Sequence, residues 1–197
     1  MKKSFQIKIC GHAGEGIKVS GLILGRALTR LGYSIFAYNE YPSLIRGGHN
    51  AYQIHAGIDK VYSQIKNVDI LIALNQETIT LHQSELTSNS LILYDPDEFK
   101  LPKGKLIGKY IGIKLVELAE KAGGKAIMAN MVSLGAVLGL LNLPLDTLNE
   151  IIVKEFSRKG QEIVKFNHKC VQAGNDYIKE KLQSHYAAAC QLCTKPD

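Results

Sequence analysis

The most restrictive feature of this sequence is a glycine-rich turn, Gly11-His12-Ala13-Gly14-Glu15-Gly16, set between an alternating apolar run and a helical one. Phe5 to Cys10 alternates apolar residues with Gln6 and Lys8, the period of a strand. From Ile17 the apolar or small positions Ile17, Gly21, Leu24, Leu28 and Leu31 recur at helical spacing, and Gly32 stops the helix. Tyr33 to Tyr38 reads as a second strand. Strand, turn, helix and strand in immediate succession make a β-α-β unit, which implies a parallel sheet with helices on its faces.

The rest of the chain extends that reading. After the polar loop Asn39 to Gly48, alternation resumes over His49 to Ile58, a strand expected to be half exposed or at an edge and free to run antiparallel. Val68 to Leu74 and Ser90 to Tyr94 are continuous apolar runs of the kind that doubly covered central strands show, with a short crossover helix over Thr78 to Leu86 between them. Lys105 to Ile111 supplies a last strand. Helical patterning then covers Leu115 to Ala122, Met128 to Leu141, Asp146 to Phe156 with Asp146 as N-cap, and Gln161 to about Gln183. The expected fold is a three-layer α/β/α sandwich with a mostly parallel, Rossmann-like sheet and C-terminal helices. One domain spans residues 1–184, and 185–197 form a flexible tail.

Composition narrows the function classes. A chain of 197 residues, 46% hydrophobic and 21% charged, is an ordinary globular domain rather than a disordered or fibrous one. Its longest apolar stretch, Leu134 to Leu141, falls short of the roughly 20 residues a membrane helix needs. Met1-Lys2-Lys3-Ser4 leads into Phe5-Gln6-Ile7-Lys8 rather than an unbroken apolar run, so no export signal is expected. The four cysteines, Cys10, Cys170, Cys190 and Cys193, are too few and too scattered for a disulfide framework and suit a reducing compartment. The expected location is the cytoplasm. Lysine makes up 20 of the 24 basic residues behind the net charge of +6, which favours a solvated surface, an anionic ligand or an acidic partner over nucleic acid.

Two segments carry candidate chemistry. The first turn, with Gly11, Gly14, Glu15 and Gly16, spells G-x-x-G-x-G at the start of a helix, where backbone amides can meet an anion. It is neither a Walker A loop nor the dinucleotide fingerprint G-x-G-x-x-G, although Glu40, just past the second strand, stands where a ribose-binding acid should fall. Glu15 repels a phosphate placed against it, so the turn also reads as a device for close helix packing. The second segment is Arg46-Gly47-Gly48-His49. Its glycines allow close backbone approach, and its arginine offers a planar fork for carboxylate or phosphate. A plain turn with a surface arginine is the alternative. His49 and His55 share a strand face but lie about 20 Å apart, too far to hold one metal. Cys190-x-x-Cys193 has no second ligand pair, Cys170 reads as a small buried hydrophobe, and no catalytic residue or metal ligand set is assigned.

In order and spacing, these motifs resemble the gamma subunit, or the gamma domain often fused to the alpha chain, of the 2-oxoacid:ferredoxin (acceptor) oxidoreductases, the pyruvate and 2-oxoglutarate enzymes among them. The resemblance covers residues 4 to about 178. It rests on the glycine-turn opening, on Tyr41-Pro42-Ser43-Leu44-Ile45-Arg46-Gly47-Gly48-His49-Asn50, and on Val68-Asp69-Ile70-Leu71-Ile72-Ala73-Leu74. Asn130-x-x-x-Leu134-Gly135-Ala136 and Phe156 to Asn167 with Ala173-Gly174 complete it. The resemblance implies an oxidoreductase component that converts a 2-oxoacid and coenzyme A to acyl-CoA and carbon dioxide only within a complex. Thiamine diphosphate, magnesium and iron–sulfur clusters then belong to partner chains, since no Gly-Asp-Gly motif and no cluster-binding cysteine set is present here. It further implies alpha and beta subunits as partners, ferredoxin reached through the complex, and a role in assembly and the CoA or substrate entrance through Gly11, Gly14, Gly16, Arg46, Gly47 and Gly48. Glu15 replaces a common glutamine, and His12-Ala13 replaces frequent glycines. A homodimer, a fragment of a fused alpha chain and a stand-alone nucleotide-binding module stay open as alternatives.

Overall fold

A computed structural model describes residues 3–41 and 48–181. The elements run β1 (Ser4–His12), α1 (Ile17–Arg30), β2 (Ser34–Glu40), β3 (His49–Gly57), β4 (Val68–Ala73), α2 (Gln76–His82), β5 (Leu86–Tyr94) and β6 (Lys109–Gly112). The helices α3 (Leu115–Lys121), α4 (Ala129–Leu140), α5 (Asp146–Phe156) and α6 (Gln161–Lys181) follow, and a 3₁₀ turn at Gln83–Glu85 continues α2. The assigned tail, 185–197, and with it Cys190 and Cys193, lies outside the described residues, as do Arg46 and Gly47.

The six strands form one sheet in the order β2-β3-β1-β4-β5-β6. β1, β4, β5 and β6 pair in parallel, while β3 pairs antiparallel with both β1 and β2. Five strands therefore run one way and only β3 opposes them, so the sheet is mostly parallel. The opening β-α-β unit is nevertheless split: β2 runs parallel to β1 but does not touch it, because β3 is inserted between them. The expectation of an edge position for β3 fails with it. β3 is interior and its last seven residues are buried, and the exposed edge falls to β2. Its polar residues survive burial because each finds a partner: Gln53 donates to Glu40 Oε1 at 2.7 Å, and the His55 ring meets the Ser63 carbonyl at 2.6 Å.

The two sheet faces are covered unequally. Ile7, Ile9, Ile54, Ile70 and Ile72 point to the face on which α1, α3, α4, α5 and α6 pack, which holds the large core. Cys10, Ala51, Leu71, Ala73 and Ile92 point to the opposite face, where α2 adds Ile79 and the segment after β5 adds Phe99 and Leu101. On the large side α4 is buried all round and lies directly against α6. Backbone meets backbone there. A Cβ added at Gly135 would run into the Val171 carbonyl, and one at Gly174 into the Val132 carbonyl, so the Leu134-Gly135-Ala136 and Ala173-Gly174 motifs are the two halves of one close helix crossing. Cys170 is buried as expected, and burial pushes its thiol up to about 11. Asp146 does not cap α5. It is the first helical residue after Leu145 and makes no capping hydrogen bond, so its contribution is a negative charge in the first turn.

Candidate functional site

The site begins at the carboxyl ends of β1, β4 and β5. After β1 the chain turns to α1 on the large-core face; after β4 it turns to α2 on the other face. A crevice between two parallel strands whose helices leave in opposite directions is the usual ligand position in an open α/β sheet. Here a cavity of about 340 Å³ opens at that point. Gly14 and Glu15 form one wall, Leu74 and Asp95 the floor, and Leu115, Ala126, Ile127, Ala129 and Asn130 the far wall. Most of the lining is apolar. Its charged groups, Glu15, Asp95 and Glu98, are all acidic, and Asp95 is already committed, accepting from the amides of Asp97 and Val116, each at 3.0 Å.

The glycine turn is held by its own residues. The Glu15 carboxylate folds back over Gly11 and accepts from the His12 amide at 2.6 Å, while the Asn130 side chain donates to the Glu15 carbonyl at 2.9 Å. Gly16 caps α1 in the left-handed region at φ 75°, with the Asn130 amide so close that a Cβ would collide with it. No side chain caps α1, and no acidic residue sits in its first turn, so the positive end of this helix is not neutralised from within. Gly48 closes on the same turn: its carbonyl accepts from the Ala13 amide at 3.3 Å. Of the candidate residues, Gly11, Gly14, Glu15, Gly16 and Gly48 are thus brought together. Arg46 and Gly47 precede Gly48 in sequence but lie outside the described residues.

Glu40 is not brought to the turn. With β3 between β2 and β1, its carboxylate joins a polar cluster on the smaller face of the sheet, where it accepts from Gln53 and lies 4.0 Å from the Lys8 ammonium. Lys8 is 2% exposed. Its ammonium donates to both Glu85 oxygens, at 2.7 and 2.9 Å. His82, the last residue of α2, places Nδ1 at 2.9 Å from Glu85 and Nε2 at 2.8 Å from Nε2 of His49. Burial pulls the Glu85 carboxyl upward, but the hydrogen bonds from His82 and Lys8 together outweigh it and hold the group below the usual carboxylate range. Burial and the neighbouring His82 ring hold His49 below the ordinary imidazole value. Cys10 lies against this cluster. Among the described residues, Cys10, His49 and His82 form one group of three donor atoms, all within 4.8 Å of one another. The sequence signals were faint: a lysine inside an otherwise apolar strand, and the i, i+3 pair His82 and Glu85.

Residues 6–177 match the family described as Pyruvate ferredoxin/flavodoxin oxidoreductase. The chain is 24% identical over 186 residues to 2-oxoglutarate synthase subunit KorC of Archaeoglobus fulgidus, covering 94% of this chain and 96% of the relative. It is 29% identical over 181 residues to the ketoisovalerate oxidoreductase subunit VorA of Methanothermobacter thermautotrophicus, covering 90% of this chain but 37% of the relative. Among solved structures it is similar to the 2-oxoglutarate:ferredoxin oxidoreductase from Magnetococcus marinus with 2-oxoglutarate, coenzyme A and succinyl-CoA bound. The TM-score is 0.80 at 27% identity, over all of this chain and 32% of that one. The chain therefore spans nearly the whole of one relative and about a third of the other two.

Proposed function

The chain belongs to the pyruvate ferredoxin/flavodoxin oxidoreductase family, and from that membership we propose that it acts as the gamma-type component of a cytoplasmic 2-oxoacid:ferredoxin oxidoreductase, inactive alone and working with alpha and beta chains. Its described residues do not fit the redox equipment of such an enzyme. The two described cysteines, Cys10 and Cys170, are buried in separate cores on opposite sheet faces, so they cannot share an iron–sulfur cluster, and no Gly-Asp-Gly segment is present for thiamine diphosphate and magnesium. What the chain offers instead is the crevice at the switch point.

In this reading the crevice forms one side of the coenzyme A entrance. The observation that carries it is the convergence of Gly14, Glu15 and Asn130 around an apolar cavity of about 340 Å³, with Gly48 bonded to the same glycine turn through the Ala13 amide. A lining without a basic residue suits the neutral pantetheine arm, and Arg46, two residues before Gly48 in the sequence, is of the residue type that binds phosphates through a bidentate fork. The test is reconstitution with alpha and beta chains and a CoA-dependent assay of 2-oxoacid oxidation with a viologen dye. Ala126→Trp, which fills the crevice from an exposed position, and Arg46→Ala should each raise KM for CoA about tenfold and leave KM for the 2-oxoacid unchanged. Oxidation of 2-oxoacids by the isolated chain would falsify the division of roles, and an unchanged KM for CoA in both variants removes the entrance role.

A further inference from the structure

On the face of the sheet opposite the crevice, Cys10 from β1, His49 from β3 and His82 from α2 converge from three separate elements. We propose that these three side chains bind a single zinc-class divalent cation, with thiolate sulfur and two imidazole nitrogens as ligands and a solvent molecule in the fourth position. The donor set is the first argument. One sulfur and two nitrogens match the borderline softness of Zn²⁺, and three protein ligands leave one corner of a tetrahedron open.

Geometry is the second argument. The two Nε2 atoms face each other at 2.8 Å. At zinc–nitrogen distances of about 2.0–2.1 Å they need to part by roughly half an ångström, and Cys10 Sγ, within 4.8 Å, needs to close by about an ångström. Side-chain adjustment covers both. The surroundings are the third argument. Metal at Nε2 of His82 requires the proton on Nδ1; Glu85 Oε1 lies 2.9 Å from that nitrogen in the carboxylate–histidine pairing that orients metal-binding imidazoles, while the Lys8 ammonium, 3.0 Å from the same nitrogen, directs its protons to the two Glu85 oxygens. Nδ1 of His49 is buried without a hydrogen-bond partner in the described structure, so it can take the proton displaced from its own Nε2 without losing a bond. The charges are complementary. The Cys10 proton leaves to solvent on binding, and the resulting thiolate, with Glu85, Glu40 at 4.0 Å from Lys8 and Glu77 near His49, surrounds Lys8 and the cation with negative charge.

The test uses the full-length chain with Cys190→Ser and Cys193→Ser, which removes the competing Cys-x-x-Cys pair, stripped of metal under anaerobic reducing conditions and titrated with Co²⁺ and then Zn²⁺. One equivalent of Co²⁺ should bind with a thiolate-to-cobalt charge-transfer band and tetrahedral d–d bands, and Zn²⁺ should displace it. Cys10→Ser should abolish the charge-transfer band. His49→Gln and His82→Gln should each weaken Zn²⁺ at least tenfold, and Glu85→Gln about 10- to 100-fold with the band retained, since Glu85 only positions His82. X-ray absorption of the zinc-loaded background chain, which needs no further variant to fold, should give one sulfur near 2.3 Å and two nitrogens near 2.0–2.1 Å. A chain that binds no stoichiometric metal, a band that survives Cys10→Ser, or a shell with no sulfur or with two overturns the proposal.

Discussion

Lys8 shows how a single side chain can mark a strand without disclosing its environment. Alternation of Gln6 and Lys8 with apolar neighbours in β1 marks a strand correctly, but both side chains are buried: Lys8 against the end of α2 and the turn after it, Gln6 against Gln53 and the Ile65 backbone. The Lys8 ammonium depends on Glu85, so removing one partner is costlier than removing both. Glu85→Gln in the metal-free protein should cost about 3 kcal/mol in urea denaturation, and the Lys8→Met/Glu85→Gln double variant clearly less than the sum of the singles. A coupling energy near zero would show that the pair is solvated after all. Gly16 is the matching case at the crevice. Its φ of 75° and its contact with Asn130 both oppose a side chain, so Gly16→Ala should destabilise by about 1–2 kcal/mol. Of the candidate residues, the turn glycines were recognisable from their position between strand and helix. Glu40 was misplaced because its spacing presumed that β2 would lie beside β1. The pairing of His82 with His49 could not be read, since 33 residues separate the two and the α2 crossover brings them together.

At the scale of elements, strand and helix boundaries followed from period and punctuation, and what escaped was pairing. The residues of β3 alternate like those of a half-exposed strand because its polar side chains are satisfied by partners outside the strand, Gln53 by Glu40 and His55 by the Ser63 carbonyl. No local pattern records that. The α4–α6 crossing gives a graded prediction in which one substitution changes sign with its surroundings. Gly135→Ala and Gly174→Ala force backbone apart and should each cost about 3 kcal/mol. Gly139→Ala, where a Cβ lies 3.2 Å from Asn175 and Ile178, should cost less. In α1, Gly25 has only Ile54 Cδ1 at 4.0 Å, so Gly25→Ala should stabilise by about 0.5–1 kcal/mol through helix propensity. Chemical denaturation of the four variants checks the ranking, and equal costs at all four positions would contradict it.

For the molecule as a whole, the fold assigns different tasks to the two sides of one sheet. The large core supports the crevice through α3 and α4, whereas the thin side, covered by α2 alone among the described α-helices, carries the polar cluster and the three metal donors. Neither arrangement requires the other, so the CoA effect of Ala126→Trp and the metal affinity of the Cys10 site should be separable. Ala126→Trp should leave Co²⁺ binding unchanged within twofold by the same titration. The inserted position of β3 also sets a timetable for synthesis. β1, α1 and β2 leave the ribosome before the strand that must lie between β1 and β2, and the other neighbour of β1, β4, comes later still. The first strand made thus has neither flank paired until β3 emerges and only one until β4 does. Until residue 57 has emerged, α1 is the only element available to shield the apolar face of β1, so the nascent chain is most exposed to misassociation before its hairpin closes.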